Sequence, residues 1–141
     1  MTFKGRILAL DRGEVRVGVA ISDELGMLAH PRPNLDGRRG RRMFEAIAEM
    51  AREDGVTRIL VGLPLDPKGH DGPAARRAMR FAQEVADVTG IDVELVDERM
   101  TTVLADRSLR DAGIAKKDRR AKVDGAAAAW LLQGWLDAHR A

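Results

Sequence analysis

Two apolar segments separated by a short turn near the N-terminus place the strongest constraint on the fold. Residues 7–10 form a continuous apolar run that is typical of a buried strand. Val17, Val19 and Ile21 alternate with smaller residues, as expected of its hairpin partner. Gly13 permits the backbone angles that such a turn needs. The chain is therefore predicted to begin with an antiparallel strand pair.

Asp11 follows the first apolar run directly, at the point where a central strand would end. A carboxylate in that position needs hydrogen bonds, a cation or water. Two interpretations stay open. Asp11 could bond to nearby backbone amides, as turn aspartates commonly do. It could also belong to a site above the end of the sheet.

The rest of the chain alternates between strand and helix patterns. Pro31 and Pro33 make the third strand an edge strand, because proline donates no hydrogen bond to a ladder. The predicted elements are an edge strand at 27–35, a helix at 40–54, a strand at 58–64, a helix at 73–89, a strand at 91–100, a helix starting at Thr101 or Thr102, a basic loop, and a last helix at 119–138. This order predicts one α/β domain over residues 1–141, with a mixed central sheet of about five strands flanked by helices.

The helix predicted at 73–89 has clear boundaries. Pro73 suits a first helical turn, and Gly90 closes the helix. The helical spacing predicts a buried stripe, made of Ala75, Met79, Ala82, Val85 and Ala86.

Composition narrows the class of protein. The chain has 141 residues and no cysteine, which excludes disulfides, thiolate catalysis and zinc sites built on sulfur. Charged residues interrupt the N-terminal apolar segment, and no run approaches membrane-spanning length, so a soluble cytoplasmic protein without a membrane partner is expected. Basic residues cluster at 37–42 and 110–122. Such clusters suit a polyanionic partner, although they also simply keep surfaces solvated.

The last helix carries a second unusual carboxylate. Ala127, Ala128, Leu131 and Trp135 lie at helical spacing and predict its buried face. Asp124 precedes the two alanines by three and four residues, so it belongs to the same face. Pairing with Lys122 or an arginine is one explanation, because buried acids are usually paired. A position close to the strand ends is the other.

A third acidic position follows the last predicted strand. Asp97 and Glu98 come directly after Val96, before a predicted helix start that favours negative charge. Asp11, Glu98 and Asp124 thus belong to three separate apolar elements. Converging carboxylates repel one another unless a cation lies between them, and oxygen ligands point to Mg²⁺ or Mn²⁺. Two such ions can support hydrolysis of a phosphodiester, and the basic loop could hold its phosphates.

Four segments together resemble the YqgF/RuvX family of Holliday junction resolvases and pre-16S rRNA nucleases. They are "ILALDRGEVRVGVAISD", "ILVGLPLDPKGHDGPAARRAMRFA", "VELVDERMTT" and "KKDRRAKVDGAAAAWLLQGWL". The resemblance covers nearly the whole chain and implies an RNase H-like fold. It implies catalytic and metal-binding roles for Asp11, Glu98 and Asp124, with Asp97 as a further candidate ligand. It also implies a nuclease, with two divalent metal ions, that acts on pre-16S rRNA in a pre-ribosomal particle or on branched DNA.

The basic residues near these acids are the candidates for nucleic-acid binding. Arg99 follows Glu98 and could pair with a phosphate or with a nearby acid. The predicted contacts are Arg16, Arg99, Lys116, Lys117, Arg119, Arg120 and Lys122. In the segment 113–122, Gly113 is expected to end one helix and Asp118 to cap the next, with Lys116 and Lys117 at the tip of the loop between them. A homodimer is a further expectation.

The chain also departs from the family pattern. Glu14 and Val15 stand where the family usually has a hydroxyl residue and a cation, and Asp66 stands where it often has Asn. These changes bear on substrate contacts and leave the three acids intact. Two alternatives to a nuclease remain at this point. One is an ATP-binding protein of the actin and sugar-kinase class, and the other is a non-catalytic binding module.

Overall fold

The computed structural model of the chain describes residues 5–98 and 116–139, with the side chains of all of them except 116–125. Within these residues it has five strands, three α-helices and one short 3-10 turn. In chain order they are β1 (Arg6–Arg12), β2 (Arg16–Ser22), β3 (Ala29–Asp36), the 3-10 turn (Gly37–Arg39), α1 (Arg41–Glu53), β4 (Val56–Leu63), α2 (Pro73–Thr89), β5 (Val93–Asp97) and α3 (Lys116–Ala138).

The five strands form one mixed sheet in the order β3-β2-β1-β4-β5. The first three strands pair antiparallel, as the N-terminal hairpin pattern predicts. β1, β4 and β5 run parallel to one another. The carboxyl ends of these three strands therefore meet along one side of the sheet, which we call the carboxyl edge.

Alternation along β1 divides the core into two layers. Leu8 and Leu10 face α1 and α2, whereas Ile7 and Ala9 face α3. This follows from the two-residue period of a strand, in which successive side chains point to opposite faces. Each fully buried leucine or isoleucine contributes about 1.5–3 kcal/mol through removal of apolar surface from water. The helices thus cover both faces of the sheet and leave its carboxyl edge for a site.

The helix α2 matches its predicted boundaries, with Pro73 in the first turn and Gly90 in the left-handed conformation after the last. Its predicted buried stripe is partly wrong, because Met79 is exposed. Ala78 and Phe81 take the inward positions, and the Phe81 ring packs against Phe44 with ring centroids 5.7 Å apart. Packing against α1 therefore decides which face of α2 is buried.

The last helix begins earlier than predicted. Lys116 and Lys117 lie within α3, so the prediction that they form a loop tip is wrong. The helix expected from Thr101 or Thr102 lies outside the described residues. No helix in the described part of the chain is long and apolar enough to cross a membrane.

Candidate active site at the carboxyl edge

Asp11 lies near the end of β1, in the centre of the sheet. It pairs across the antiparallel ladder with Gly18, and the preceding Leu10 pairs with Val61 of β4. Asp11 lies two and four positions after Ala9 and Ile7 in β1, and alternate residues of a strand point to the same face. Asp11 therefore lies on the face of the sheet that α3 covers. The sequence pattern therefore placed this carboxylate correctly, at the end of a central strand.

Glu98 comes directly after β5, and its backbone N–H donates to the carbonyl of Leu63 at 3.3 Å. Val96 packs in the core layer beneath α3, and Glu98 follows two residues later, just beyond the end of β5. The side chains of Glu98 and Asp11 form a hydrogen bond. The structure thus brings together two of the three carboxylates that the sequence singled out.

Gly62 of β4 lies between these two acids and leaves room for their contact. A Cβ atom built on Gly62 would overlap the Oε2 atom of Glu98 and would lie 3.3 Å from Oδ1 of Asp11. Any larger residue at this position would therefore push the carboxylates away. The sequence pattern predicts only a buried strand over 58–64 and does not indicate this role of Gly62. The glycine inside an apolar run was the available signal.

Burial and proximity change the acidity of the pair. Burial, the hydrogen bond with Asp11 and the negative charges of Asp11 and Asp97 raise the pKa of Glu98 to about 9. Burial also raises the pKa of Asp11, while its hydrogen bond with Glu98 acts in the opposite direction. Without a cation, Glu98 therefore holds a proton at neutral pH and donates a hydrogen bond to Asp11.

One oxygen of the pair has no partner in the described part of the chain. Oε2 of Glu98 is buried and accepts no hydrogen bond from any described residue. A buried carboxylate oxygen without a partner is costly unless a cation or a proton compensates. Because both side chains offer only oxygen atoms, the ligand that fits them is a hard divalent cation.

Two carboxylates alone do not complete a typical metal site. Among the described side chains there is no group of three or more acidic, histidine or cysteine residues that could hold a metal ion. The side chain of Asp124 lies outside that description, so its role as a third ligand stays a prediction. Asp97, the last residue of β5, is exposed.

The direction of α3 indicates towards which edge of the sheet the helix carries Asp124. Near its C-terminus, Nε2 of Gln133 donates to the carbonyl of Met27 at 2.9 Å, and Nε1 of Trp135 donates to Glu94 at 2.8 Å. Glu94 lies near the start of β5, at the side of the sheet opposite the carboxyl edge. The N-terminal half of α3, which contains Asp124, therefore runs towards the edge where Asp11 lies.

The predicted nucleic-acid contacts fall into three groups. Arg16 is exposed at the start of β2, two positions before Gly18, the residue that pairs with Asp11. Arg16 therefore lies on the same face of the sheet as Asp11. Arg99 lies outside the described residues. The remaining five lie on α3, where the structure describes the backbone but not their side chains: Lys116, Lys117, Arg119, Arg120 and Lys122.

A cleft of about 200 Å³ opens beside Glu98, and we call it the carboxylate cleft. Two arginines that the sequence analysis did not select, Arg12 of β1 and Arg77 of α2, line it together with Glu14. They are 65 positions apart, and only the packing of α2 over the sheet brings them together. No sequence spacing could have shown this.

The residues that depart from the family pattern have different surroundings. Glu14 is exposed and lines the carboxylate cleft, so it adds a negative charge beside the site. Asp66 has a structural role in its loop. Its Oδ1 atom accepts the backbone N–H groups of Lys68 and His70 at 2.9 and 2.8 Å. An asparagine side-chain oxygen could accept the same two hydrogen bonds, so Asp66 can replace the asparagine that the family often has at this position.

Comparisons with known proteins agree with this geometry. Residues 5–138 match the model of the family described as "RuvX: Holliday junction resolvase". A protein of Anaeromyxobacter dehalogenans named "Putative pre-16S rRNA nuclease" is 44% identical over 132 residues, which cover 94% of this chain and 96% of that protein. A protein of Myxococcus xanthus with the same name is 42% identical, with 96% and 89% covered.

Solved structures show the same fold. RuvC of Thermus thermophilus matches with a TM-score of 0.58 and 14% identity, over 94% of this chain and 95% of that one. The same protein in complex with a Holliday junction substrate matches with a TM-score of 0.56 over 95% and 94%. The expected RNase H-like fold is confirmed. The sequence, the site and these matches together show that the chain belongs to the RuvX family.

Proposed function

We propose that this chain is a divalent-metal-dependent nuclease that hydrolyses phosphodiester bonds, with the 5′ end of pre-16S rRNA as its natural substrate. The observation that carries the proposal is the contact of Glu98 with Asp11, in which the buried Oε2 atom of Glu98 has no hydrogen-bond partner among the described residues. Membership of the RuvX family and relatives named as pre-16S rRNA nucleases support the choice of reaction and substrate.

In this proposal Asp11 and Glu98 hold the cation, with Asp124 as the third ligand and two ions in the complete site. When bound, Mg²⁺ or Mn²⁺ supplies positive charge that stabilises the phosphodiester transition state and activates the attacking water. Gly62 keeps the two carboxylates in contact, and the buried strands beneath them keep their positions fixed. Rigid support matters because small displacements of catalytic groups are costly for rate.

The chain's cations would bind the substrate backbone. Arg16 lies on the same face of the sheet as Asp11, and the basic side chains of α3 precede or flank Asp124 in the sequence. Such contacts with phosphates position a substrate without selecting its sequence. Selection of pre-16S rRNA would then depend on the shape of the RNA within the pre-ribosomal particle, in the cytoplasm.

Branched DNA is the second candidate substrate. The description of the family model as a Holliday junction resolvase supports it. The family assignment favours a nuclease over a binding module without catalysis. The ATP-binding alternative finds no support in the family assignment.

A cleavage assay on the purified full-length chain tests the proposal. The probes are a labelled RNA that carries the precursor 5′ end of 16S rRNA and a labelled four-way DNA junction, each with EDTA, Mg²⁺ or Mn²⁺. We expect metal-dependent cleavage of the RNA and little or no cleavage of the junction. Cleavage of the junction alone would favour the second candidate, and cleavage of neither probe would refute the nuclease proposal.

A further inference from the structure

A second cleft, of about 340 Å³, adjoins the carboxylate cleft, and we call it the arginine cleft. Arg12 and Arg77 line both clefts, so the two adjoin along one side of α2. Arg80, one helical turn after Arg77, lines only the arginine cleft. The three arginine side chains therefore form a row that extends away from Glu98, on the face of the sheet that α1 and α2 cover.

The guanidinium groups of these three arginines are available for an anionic ligand. Within the described part of the chain, none of the three is paired with a carboxylate. Arg12 instead lies over the Phe81 ring at 5.1 Å and donates weakly to the Met43 sulfur at 3.7 Å. These contacts orient its side chain and leave most of its N–H donors unused. Other arginines of the described part do form ion pairs, among them Arg38 with Asp36 and Arg58 with Glu94.

The N-terminus of α1 adds to the positive potential. Gly40, the residue before the helix, lines the arginine cleft and provides no side chain to cap the first turn. The first turn of α1 also lacks acidic residues. Its free backbone N–H groups therefore favour an anion at this end. Among the described residues, Glu84 is the one acidic residue lining this cleft, so positive groups prevail there.

The floor of the arginine cleft is apolar and partly aromatic. Met43 and Phe81 are buried, and the Phe44 ring is partly exposed beside them. The volume lies within the range of small-molecule sites. Proteins commonly bind an unstacked nucleotide with arginines that contact its phosphate and an aromatic ring that stacks on its base. The arginine cleft offers both kinds of side chain.

We infer that the arginine cleft is a subsite for one single-stranded nucleotide of the substrate, next to the phosphodiester that lies at Asp11 and Glu98. This inference rests on the proposed nuclease function. Arg77 and Arg80 would hold the phosphate of that nucleotide, Arg12 would bridge the two clefts, and Phe44 would support the base. The substrate would then be a duplex or folded RNA with a single-stranded extension at the cleavage point.

Binding in EDTA, where cleavage is excluded, tests the subsite. The probes are labelled RNA hairpins whose 5′ or 3′ side is extended stepwise by single unpaired nucleotides. We expect the native chain to gain affinity from an extension on one side only. Arg77→Gln and Arg80→Gln should each lower the affinity for the extended hairpin about three- to tenfold. Each should also lower the slope of log affinity against log salt by about 0.7. Arg80→Gln, which alters only the arginine cleft, should leave binding of the blunt hairpin nearly unchanged.

Arg76→Gln is the matched control, because Arg76 lies on the same helix, carries the same charge and lines neither cleft. It should retain the gain from the extension. An abasic nucleotide in the extension tests the base contact without altering the protein, and it should lose part of the gain. Equal effects of Arg76→Gln, Arg77→Gln and Arg80→Gln would overturn the subsite.

The same experiment separates failure of the subsite from failure of the nuclease proposal. If the native chain cleaves the RNA in Mg²⁺ but gains nothing from either extension, the subsite is wrong and the nuclease stands. If it binds the extended hairpins as expected but cleaves nothing, the subsite stands as a binding site and the nuclease proposal fails. If it binds no hairpin, both are overturned.

Discussion

The side chains of Asp11 and Glu98 meet in a hydrogen bond above Gly62, although 87 positions separate the two acids in the sequence. They come from the ends of β1 and β5, which are not neighbours in the sheet. β4 lies between them, and its glycine provides the space for contact. A pair of acids held in this way requires either a shared proton or a cation.

The shared proton predicts a specific pH dependence of stability in metal-free protein. Glu98 has a pKa near 4.5 when unfolded and about 9 when folded, so the folded chain binds the extra proton between these values. Its contribution to stability is complete below pH 4.5 and is lost as the pH rises to about 9. Replacing Glu98 by Gln removes this dependence.

Thermal unfolding in EDTA at several pH values measures this effect. We expect the stability of Glu98→Gln relative to the native chain to increase steadily with pH. Groups outside the Asp11–Glu98 pair titrate alike in both proteins, so the difference reports the titration of this pair. A difference that is constant from pH 5 to pH 9 would contradict the shared proton.

Metal ions should stabilise the folded chain by replacing this proton. At a Mg²⁺ or Mn²⁺ concentration about a hundred times Kd, the free energy of unfolding should rise by about 2.7 kcal/mol. Affinity should increase with pH, since binding releases a proton. Isothermal titration calorimetry should give a stoichiometry of two metal ions per chain. Potassium chloride of equal ionic strength is the control, and an equal effect of that salt would contradict a specific site.

Gly62→Ala should damage the site and the core together. The added methyl group overlaps Glu98 Oε2, which must move, and such overpacking costs about 1–3 kcal/mol. Cleavage should fall strongly because the two carboxylates lose their contact. Gly134→Ala is the matched control. Gly134 is exposed on α3 with open space around it, so alanine should stabilise the chain by about 1 kcal/mol. Similar effects of the two changes would refute the role of Gly62.

Much of the fold could be predicted because local signals and packing agree. The helix between Pro73 and Gly90 has a proline at its start and a glycine at its end, and both act through the backbone alone. The position of Asp11 followed from the end of an apolar run. The prediction that Met79 is buried was wrong because Met79 and its neighbour Ala78 fit the helical spacing almost equally well. The contact between Phe44 and Phe81 determines which of the two faces of α2 is buried.

The site could be predicted only in part, for a related reason. Acids stand out in a sequence when they follow apolar strands, and Asp11 and Glu98 did so. The roles of Gly62, Arg12 and Arg77 depend on the order of the strands and on the position of α2 above them. Those relationships join distant segments and leave no periodic pattern.

The central claim is that Asp11 and Glu98 form the nuclease centre. Its most direct test compares cleavage of the pre-16S rRNA probe in Mg²⁺ by the native chain, Asp11→Asn, Glu98→Gln and Glu94→Gln. Glu94 also lies on β5 but pairs with Arg58 and Trp135 at the other side of the sheet, so its variant controls for loss of an acid from that strand. We predict that Asp11→Asn and Glu98→Gln remain folded, bind the RNA and lose at least about a hundredfold in rate, whereas Glu94→Gln retains cleavage. Near-native cleavage by folded Asp11→Asn or Glu98→Gln would contradict the account.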